Sequence, residues 1–565
     1  MTDSVINYYK GKYSLFTGHD NLSSDHIDNK SLIIGRKIIN GKMSDTFIID
    51  TFVGIIHLSS TKVFTTGKSN KIMKPFTPFL KSLNLPRILV TTKKTEMSSD
   101  ICAIVKIESY DNNYLYCSVL EYLTDMYTFH NDSMILKAIA TNHWKRKIDK
   151  TFDILKETDL TPDRIKYDYD IYSIDPENCD DIDDALSCVK KDNTYEIGIH
   201  IADVSSFIPE NSNYDIELSK RIETVYLGNN MFNKINMIPE KLSIDCMSLK
   251  HGILRRAFSV IITLNDKYDI IDVKFKKTMI NVKKNLTYDE CQSMIDTNET
   301  IKMLYDIGKI LGNGISYDLY NYDSHSMVAI YMIYANKSVA QHLSLNNSQY
   351  VLLRGQHKNN NYIDCSKYHD IIDPKIINKH KTLLMERAFY KIGINDSDHH
   401  QLKLKYYTHF TSPIRRYADI LVHRQLWKSI NNNEMKSIDV DVLFRMNFYS
   451  SLYKNVQRYS EILNFVYASS ENTIDTDAYV ILIDGCDVKL YFPKYDFVQD
   501  VSLIDHKIYN MFLIVSDDYS VEITNKSTMI MNKIELFQNL NVQIIKCHKT
   551  FDKLNVIIKD INLLD

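Results

Sequence analysis

Short runs of alternating apolar and polar residues occupy the N-terminal quarter of the chain. They cover residues 31–39, 46–56, 87–92, 101–107 and 114–119, and turn-forming residues such as Gly41 and Pro86 separate them. A period of two bounded by turn residues is typical of half-buried strands. A helical pattern is present only near 134–140. We therefore expect small antiparallel barrels in this part of the chain.

The middle of the chain mixes both patterns. Residues 195–204 alternate as a strand does, and residues 327–343 repeat apolar positions at helical spacing. From about 471 the strand pattern returns, in 478–483, 487–493, 511–515, 533–536 and 554–561. The sequence thus predicts a multidomain protein in which a mixed α/β (α+β) core is flanked by all-β barrels.

Composition narrows the class of protein. A hydrophobic fraction of 44% with 25% charged residues is that of an ordinary soluble protein, and no apolar run approaches the length of a membrane span. Nine cysteines without a Cys-x-x-Cys pair favour a reducing compartment. We expect a cytoplasmic protein, with a nuclear location left open. The net charge of −3 argues against coating of nucleic acid by bulk basicity.

The densest chemistry lies in an acidic segment, Ile174 to Ala185, where five aspartates and a glutamate fall within ten residues. Interleaved apolar residues tie the segment into a core, so that mutual repulsion would raise carboxyl pKa values unless a cation neutralised them. The donors are oxygens, which favours magnesium or manganese over zinc.

Other interpretations of the acidic segment stay open at this point. An Asp-rich run is often a solvated turn, and the segment could also hold a purely structural ion. A calcium loop of the EF-hand kind is excluded by spacing, because the sixth position counted from Asp175 is Asp180 where that loop needs glycine.

A second informative stretch is 407–424. Ser412 and Pro413 predict a helix start, which places Arg415 and Arg416 in its first turn. Two guanidinium groups beside free helix N–H groups would form a phosphate site. The alternative is an ordinary ion pair between Arg415 and Asp419, one turn on.

Two further segments are open to functional and structural interpretations. Lys489, Tyr491 and Lys494 interleave charge with aromatic rings, as on a platform that stacks single-stranded RNA, or on an ordinary barrel surface. His200 near a strand end either borders the acidic segment or is a satisfied core histidine.

These segments together resemble the RNB superfamily, the ribonuclease II-like 3′→5′ exoribonucleases. The resemblance is carried by Tyr172 to Leu186, His200-Ile-Ala-Asp-Val-Ser, Val225-Tyr-Leu, Met237-Ile-Pro, Met247-Ser-Leu, Met332-Ile-Tyr-Ala-Asn and Tyr407 to Arg424, in family order. The tail resembles the closing OB-fold of the eukaryotic branch that includes the exosome's catalytic subunit. No preceding endonuclease domain is expected.

The resemblance implies four domains. They are a shortened cold-shock-type barrel at 1–70, a second at 71–150, the RNB catalytic domain at 151–470 and an OB-fold RNA-binding domain at 471–565. It also implies processive, two-magnesium hydrolysis of single-stranded RNA to nucleoside 5′-monophosphates, with manganese able to substitute. A monomer is expected, and an exosome-like partner stays open.

The resemblance also assigns residues. Asp175, Asp181, Asp183 and Asp184 would be metal ligands, of which Asp183 and Asp184 are catalytic together with Arg415. The residues expected at RNA are Tyr226, His200, Arg415, Arg416, Lys489, Tyr491 and Lys494.

One position departs from the family pattern. Gln457 stands where bacterial members have a catalytic glutamate, and Glu461 one turn later is a candidate substitute. Two alternatives follow: an RNA-binding scaffold with a decayed site, which Gln457 favours, and a metal-dependent DNase.

Overall fold

The computed structural model describes most of the chain. The described residues are 4–9, 12–17, 21–23, 33–39, 42–62, 64–65, 72–80, 85–92, 99–111, 114–123, 129–144, 164–227, 234–313, 315, 322–358, 365, 368, 371–468, 471–485, 487–503, 511–517, 520–525, 531–546 and 554–559.

Two β-sheets form the N-terminal region. The first has the order β3-β2-β1-β4-β5 and consists of β1 (Ser4–Tyr9), β2 (Lys12–Phe16), β3 (Asn21–Ser23), β4 (Arg36–Ile39) and β5 (Lys42–Phe47). The second consists of β6 (Thr51–Ile56), β7 (Phe64–Thr65), β8 (Ile72–Pro78), β9 (Arg87–Thr91), β10 (Ile101–Tyr110) and β11 (Tyr114–Tyr122). In it β8 pairs with both β9 and β6, so that β6, β10, β11, β9 and β8 close a barrel. Helix α1 (Phe129–Thr141) follows.

The change from the first sheet to the second occurs near residue 50, earlier than the expected boundary at 70. The run at 46–56, expected as one strand, is split between β5 and β6. Its apolar pattern is continuous because Ile48 and Ile49, which connect the two sheets, are themselves buried.

A seven-stranded sheet in the order β12-β17-β16-β15-β14-β13-β18 organises the central region. Its strands are β12 (Ile165–Tyr167), β13 (Tyr172–Asp175), β14 (Asp184–Lys191), β15 (Thr194–Ala202), β16 (Leu254–Leu264), β17 (Ile270–Asn281) and β18 (Lys284–Thr287). Strand β16 is buried almost throughout, as expected for a central strand covered on both faces. The strand predicted at 195–204 is β15.

Helices pack around this sheet. They are α2 (Asn213–Arg221), α3 (Glu240–Leu242), α4 (Tyr288–Met294), α5 (Glu299–Asn313), α6 (Ser324–Asn346), α7 (Pro374–Leu384), α8 (Tyr417–Ile430) and α9 (Val440–Ala468). Asp323 caps α6 through the N–H of Ser326, and Thr287 and Glu290 form a capping box on α4. Helix α6 contains the predicted helix at 327–343. A ribbon of β19 (Leu352–Gly355) and β20 (Phe389–Ile392) lies beside them.

The C-terminal region is again made of strands, as predicted. They are β21 (Thr473–Asp484), β22 (Asp487–Phe492), β23 (Phe497–Ser502), β24 (Met511–Asp517), β25 (Ser520–Asn525), β26 (Met531–Glu535), β27 (Asn539–Ile545) and β28 (Asn555–Ile558). Five form one sheet, β23-β22-β21-β27-β28, and β24, β25 and β26 form another. Helix α7 joins this region to the core, since His380 Nδ1 lies 2.6 Å from the carbonyl oxygen of Ile481.

None of the described helices combines the length and the apolar character needed to cross a bilayer.

Candidate active site

The acidic segment lies where two strands of the central sheet meet. Asp175 ends β13 and pairs in register with Thr287 of β18, and Asp184 begins β14 opposite Ile201 of β15. The other acids lie on the loop between these strands. Tyr172, Ile174 and Ala185 are buried, so the apolar residues that alternate with the acids anchor both ends of the loop.

Hydrogen bonds fix the loop between the two strands. The hydroxyl of Ser248 donates to the carbonyl oxygen of Asp180 at 2.7 Å and accepts from the N–H of Ile182 at 3.0 Å. The N–H of Ala202 donates to the carbonyl oxygen of Asp183 at 2.8 Å. Side-chain directions along the loop are therefore set by the backbone. The sequence analysis did not single out Ser248, although it lies within the Met247-Ser-Leu block.

Asp183 is held by the arginine-rich segment. Its Oδ1 accepts a hydrogen bond of 2.8 Å from the N–H of Ile414, and its Oδ2 lies 3.8 Å from Nε of Arg415. Burial raises the pKa of the Asp183 carboxyl well above its usual value, opposed by Arg415 and by the Ile414 hydrogen bond. The structure thus brings together two motifs that lie 231 residues apart in the chain.

Asp175 and Asp184 are costly to ionise. Burial raises the pKa of Asp184 to about 8, with repulsion from Asp175 adding to it, and burial raises the pKa of Asp175 to about 6. Oδ2 of Asp175 is buried without a hydrogen-bond partner. An unpartnered buried carboxylate oxygen lacks a donor or a cation. A hard cation fits this position, and oxygen-only donors suit magnesium or manganese.

Asp181 has a different partner. The ammonium group of Lys234 donates to its Oδ1, and Lys234 also received no role from the sequence analysis. Across the part of the chain that the structure describes, no three His, Cys, Asp or Glu side chains converge closely enough to hold an ion as they stand. Asp175 and Asp184, which repel each other, are the residues that could hold a cation, whereas Asp181 is paired with Lys234.

The helix expected at Pro413 begins at Tyr417 instead. Residues 413–415 form a turn, and Arg416 occupies the N-cap position of α8. The helix does not start earlier because a neighbouring extended segment bonds to the backbone here. The N–H of Thr224 donates to the carbonyl oxygen of Arg415, and the N–H of Tyr417 donates to the carbonyl oxygen of Ile222. The predicted phosphate site at a helix start is wrong in this detail, since Arg415 precedes the helix.

The two arginines have different roles. Arg416 donates to both carboxylate oxygens of the buried Asp419 at 2.8 Å, and its side chain is 15% exposed. The side chain of Arg415 is 41% exposed and donates to the hydroxyl of Ser412 at 3.1 Å. The alternative pairing of Arg415 with Asp419 is therefore wrong, and the expected RNA contact of Arg416 is corrected to a structural ion pair.

Two tyrosines face the site. Tyr226 is 41% exposed. The pKa of its hydroxyl is raised by desolvation and by Asp181 and Asp183, against the effect of Arg415. The sequence analysis missed Tyr288, the first residue of α4, whose pKa is raised to about 12 by burial and by the carboxylates of Asp184 and Asp175. Its ring stacks on His325 with centroids 3.4 Å apart.

His200 is a core residue and not an RNA contact. It is fully buried, with Nε2 3.0 Å from the hydroxyl of Ser187 and Nδ1 2.7 Å from that of Ser259. Burial lowers its pKa to about 3. The alternating pattern around His200 correctly predicts the strand β15. The side chain of His200 points into the packed face of the sheet.

The expected aromatic platform on the C-terminal barrel is also corrected. Tyr491 is fully buried, donates to Oδ1 of Asp496 at 2.7 Å and packs between the barrel and α7. Lys489 forms an ion pair with Asp500. Lys494 is exposed, with Nζ 5.3 Å from the centroid of Tyr495. Only Lys494 of these three stays fully accessible.

Gln457 lies on α9 and its side-chain amide donates to Glu461 at 3.2 Å. Burial raises the pKa of Glu461, and the charged groups that act on it are Lys379, Asp496 and Arg458. These groups belong to α7, α9 and the C-terminal barrel. Glu461 therefore faces the barrel side of α9, and the structure gives no support to its replacing a catalytic glutamate.

Residues 166–432 match the family described as the RNB domain. This match confirms, for residues 166–432, the resemblance seen in the sequence. The chain is 30% identical over 438 residues to exosome complex exonuclease RRP44 of Homo sapiens, covering 65% of this chain and 45% of that protein. It is 28% identical over 484 residues to exosome complex exonuclease dis3 of Schizosaccharomyces pombe, covering 71% and 49%. The chain spans about half the length of these curated relatives.

Solved structures share the fold over nearly the whole chain. RNase R of Mycoplasma genitalium, in complex with ribose-methylated single-stranded RNA, matches with a TM-score of 0.70 at 17% identity, covering 98% of this chain and 100% of that one. Yeast Ssd1, described as a pseudonuclease, matches with a TM-score of 0.72 at 16% identity, covering 92% and 84%. These matches confirm the predicted architecture of an RNB core flanked by β-barrels.

Proposed function

We propose that the protein is a magnesium-dependent exoribonuclease that processively hydrolyses single-stranded RNA from its 3′ end to nucleoside 5′-monophosphates. The observation that carries the proposal is a group of three carboxylates, the buried Asp183 and the half-buried Asp175 and Asp184, beside the accessible Arg415 in the segment that matches the RNB domain. The curated relatives named as exonucleases support the same reaction class.

The residues of the site divide the work. Arg415 is exposed enough to reach a substrate phosphate and to offset charge that develops on its oxygens. Tyr226 presents an accessible ring beside it, on which a base can stack. Asp175 and Asp184 would hold a cation, which when bound lowers the pKa of a water molecule and polarises the phosphate. The N–H of Ile414 keeps Asp183 oriented toward Arg415.

A second candidate function is an RNA-binding scaffold without catalysis. Two observations favour the scaffold. The ammonium group of Lys234 is bound to the carboxylate of Asp181. In addition, Gln457 stands where bacterial members of the family that the sequence resembles have glutamate. Yeast Ssd1, which shares this fold, is described as a pseudonuclease. The unpartnered oxygen of Asp175 opposes this candidate, because a scaffold gains nothing from a buried, uncompensated carboxylate.

We expect this protein to act on single-stranded RNA in the cytoplasm, as a monomer. Its activity can be tested with the purified protein alone, without an exosome-like partner.

Single-stranded RNA labelled at its 5′ end is incubated with the protein and magnesium, and the products are separated by length. The expected result is conversion of the full-length RNA to a short 5′-labelled end product with few intermediate lengths, because the proposed hydrolysis is processive. The same RNA labelled at its 3′ end should release the label as a mononucleotide. Tight binding without shortening at any magnesium or manganese concentration would support the scaffold instead.

A further inference from the structure

Three cationic side chains from different elements meet beside Glu223. Arg354 lies on β19, with its guanidinium carbon 4.4 Å from the ring centroid of Tyr390. Arg387, just before β20, donates from Nη1 to the hydroxyl of Ser451 on α9. Lys454 follows Ser451 by three residues on α9, and therefore projects from the same face of that helix. We call Arg354, Arg387 and Lys454 the cation cluster.

The cation cluster carries more positive charge than Glu223 can offset. Desolvation lowers the pKa of Lys454, repulsion from Arg354 and Arg387 adds to the shift, and Glu223 opposes it. Burial raises the pKa of Glu223, while Arg354, Arg416 and Lys454 lower it. Mutual repulsion among like charges is relieved by an anion, and guanidinium groups match the geometry of phosphate oxygens.

Backbone contacts connect the cation cluster to the candidate active site. Glu223 forms a β-bridge with Arg416, and the N–H of Thr224 donates to the carbonyl oxygen of Arg415 at 2.9 Å. Tyr226, beside the acidic segment, is three residues further along this extended stretch, a distance of about 10 Å at 3.3 Å per residue. The cluster thus lies one short strand away from Arg415.

His409 connects the two places. Its Nδ1 is 2.6 Å from the hydroxyl of Tyr390, and its pKa is lowered well below the usual value by burial and by Arg416, Arg354 and Arg415. The ring is therefore neutral and adds no charge of its own. Because Arg354 and Arg415 both act on this one ring, the cation cluster and the candidate active site lie close together.

We propose that Arg354, Arg387 and Lys454 form a second phosphate site, which holds a backbone phosphodiester of single-stranded RNA about 10 Å from the scissile position. This inference rests on the proposed function for its ligand. An extended RNA strand with one phosphate at Arg415 and a base on Tyr226 would run along residues 223–226 toward the cation cluster. A small isolated anion could not reach both places at once.

The test removes two exposed charges and leaves Arg354, which packs on Tyr390, in place. The double variant R387Q/K454Q and the wild type are titrated with a fluorescent single-stranded RNA in EDTA, so that binding is measured without hydrolysis, over a series of salt concentrations. Loss of one phosphate contact should weaken binding about fivefold near 0.1 M salt and reduce the slope of log affinity against log salt by roughly 0.7. The charge-keeping variant R387K/K454R should retain wild-type slope and affinity.

Lys302 provides the matched control. It is exposed on α5, with Nζ 3.9 Å from Asp306, and lies outside the cluster. The K302Q variant should bind as the wild type does, and thermal unfolding should confirm equal folding of all variants. If R387Q/K454Q keeps the wild-type salt slope while the wild type binds RNA, the second site is wrong and the proposed function stands. If the wild type binds no single-stranded RNA, both are wrong.

Discussion

Arg416 and Asp419 form a two-pronged ion pair across the first turn of α8, with Nε and Nη2 each 2.8 Å from a carboxylate oxygen. Asp419 also accepts the N–H of Ser412 at 2.8 Å. The pair therefore fixes the turns that precede the helix. The neighbouring Arg415 is left accessible and aimed at Asp183.

This division predicts opposite outcomes for two adjacent substitutions. Arg416→Gln should destabilise the protein by about 3 kcal/mol or more, because it leaves the buried carboxylate of Asp419 unpaired. Arg415→Gln should change the free energy of unfolding by less than about 1 kcal/mol and lower turnover at least a hundredfold. Urea unfolding and an RNA degradation assay separate the two. Equal loss of stability in both variants would contradict the assignment.

Asp184→Asn separates chemistry from folding at the acidic segment. Loss of this carboxylate should lower turnover about a thousandfold or more, equivalent to a barrier increase of about 4 kcal/mol. RNA affinity should persist, and without metal the melting temperature should stay level or rise, since burial and Asp175 already raise the pKa of Asp184 to about 8. Paired gel-shift and degradation assays check this. Near wild-type turnover would remove Asp184 from the site.

Lys234 should compete with a divalent cation for Asp181. In Lys234→Gln the competing ammonium is gone, so magnesium should bind more tightly by up to about 1 kcal/mol, or about fivefold. The readout is the magnesium concentration that raises the melting temperature in the absence of RNA. Lys241→Gln, at an exposed position on α3, is the control. Unchanged or weaker magnesium binding in K234Q would show that Lys234 is no competitor.

Tyr226 and Tyr491 should respond differently to truncation. Tyr226→Ala should weaken RNA binding by about 1 to 3 kcal/mol, as expected for loss of one base stack, with little change in stability. Tyr491→Ala removes a fully buried ring between the barrel and α7 and should destabilise the protein by about 3 to 5 kcal/mol. Anisotropy titrations and urea unfolding measure both effects. A stable Y491A variant that binds RNA weakly would restore the stacking platform.

Two buried histidines should each contribute stability that is lost in mild acid. Burial lowers the pKa of His200 to about 3 and that of His399 to about 4, against about 6.5 in the unfolded chain. Below pH 6.5 each of these groups binds a proton in the unfolded chain but not in the folded one, so its contribution to the free energy of unfolding falls by about 1.4 kcal/mol per pH unit. Asp183 and Asp184, whose pKa values are raised by burial, contribute in the opposite direction.

Urea unfolding at pH 7, 6 and 5 measures this slope. His200→Gln should reduce the slope by about one proton, and replacing the exposed His251 should leave it unchanged. Equal slopes in the wild type and in His200→Gln would contradict the assignment of His200 as a neutral core group.

The sequence predicted the architecture well because its signals are local. Strand periodicity, turn residues and the crowd of acids on an apolar frame each need only neighbouring residues. The RNB motifs add long-range order that periodicity alone does not contain. The same local reasoning predicts helix α6 and strand β15.

The sequence predictions were wrong where contacts with distant parts of the chain determine the local structure. Ser412 and Pro413 carry a valid helix-start signal, yet backbone bonds from Ile222 and Thr224 override it. Tyr491 alternates with lysines as an exposed ring would, but α7 covers it. Lys234 had no signal, because its role depends on a partner 53 residues away.

The hydrogen bond from Ile414 to Asp183 joins residues that are 231 positions apart. During synthesis at about 5 to 20 residues per second, the acidic segment leaves the ribosome roughly 10 to 50 s before the partner that orients it. A nascent or prematurely terminated chain therefore presents its carboxylates without Arg415 beside them. Under the proposed function, a chain that stops before residue 415 has its acidic segment but lacks the arginine needed to cut RNA.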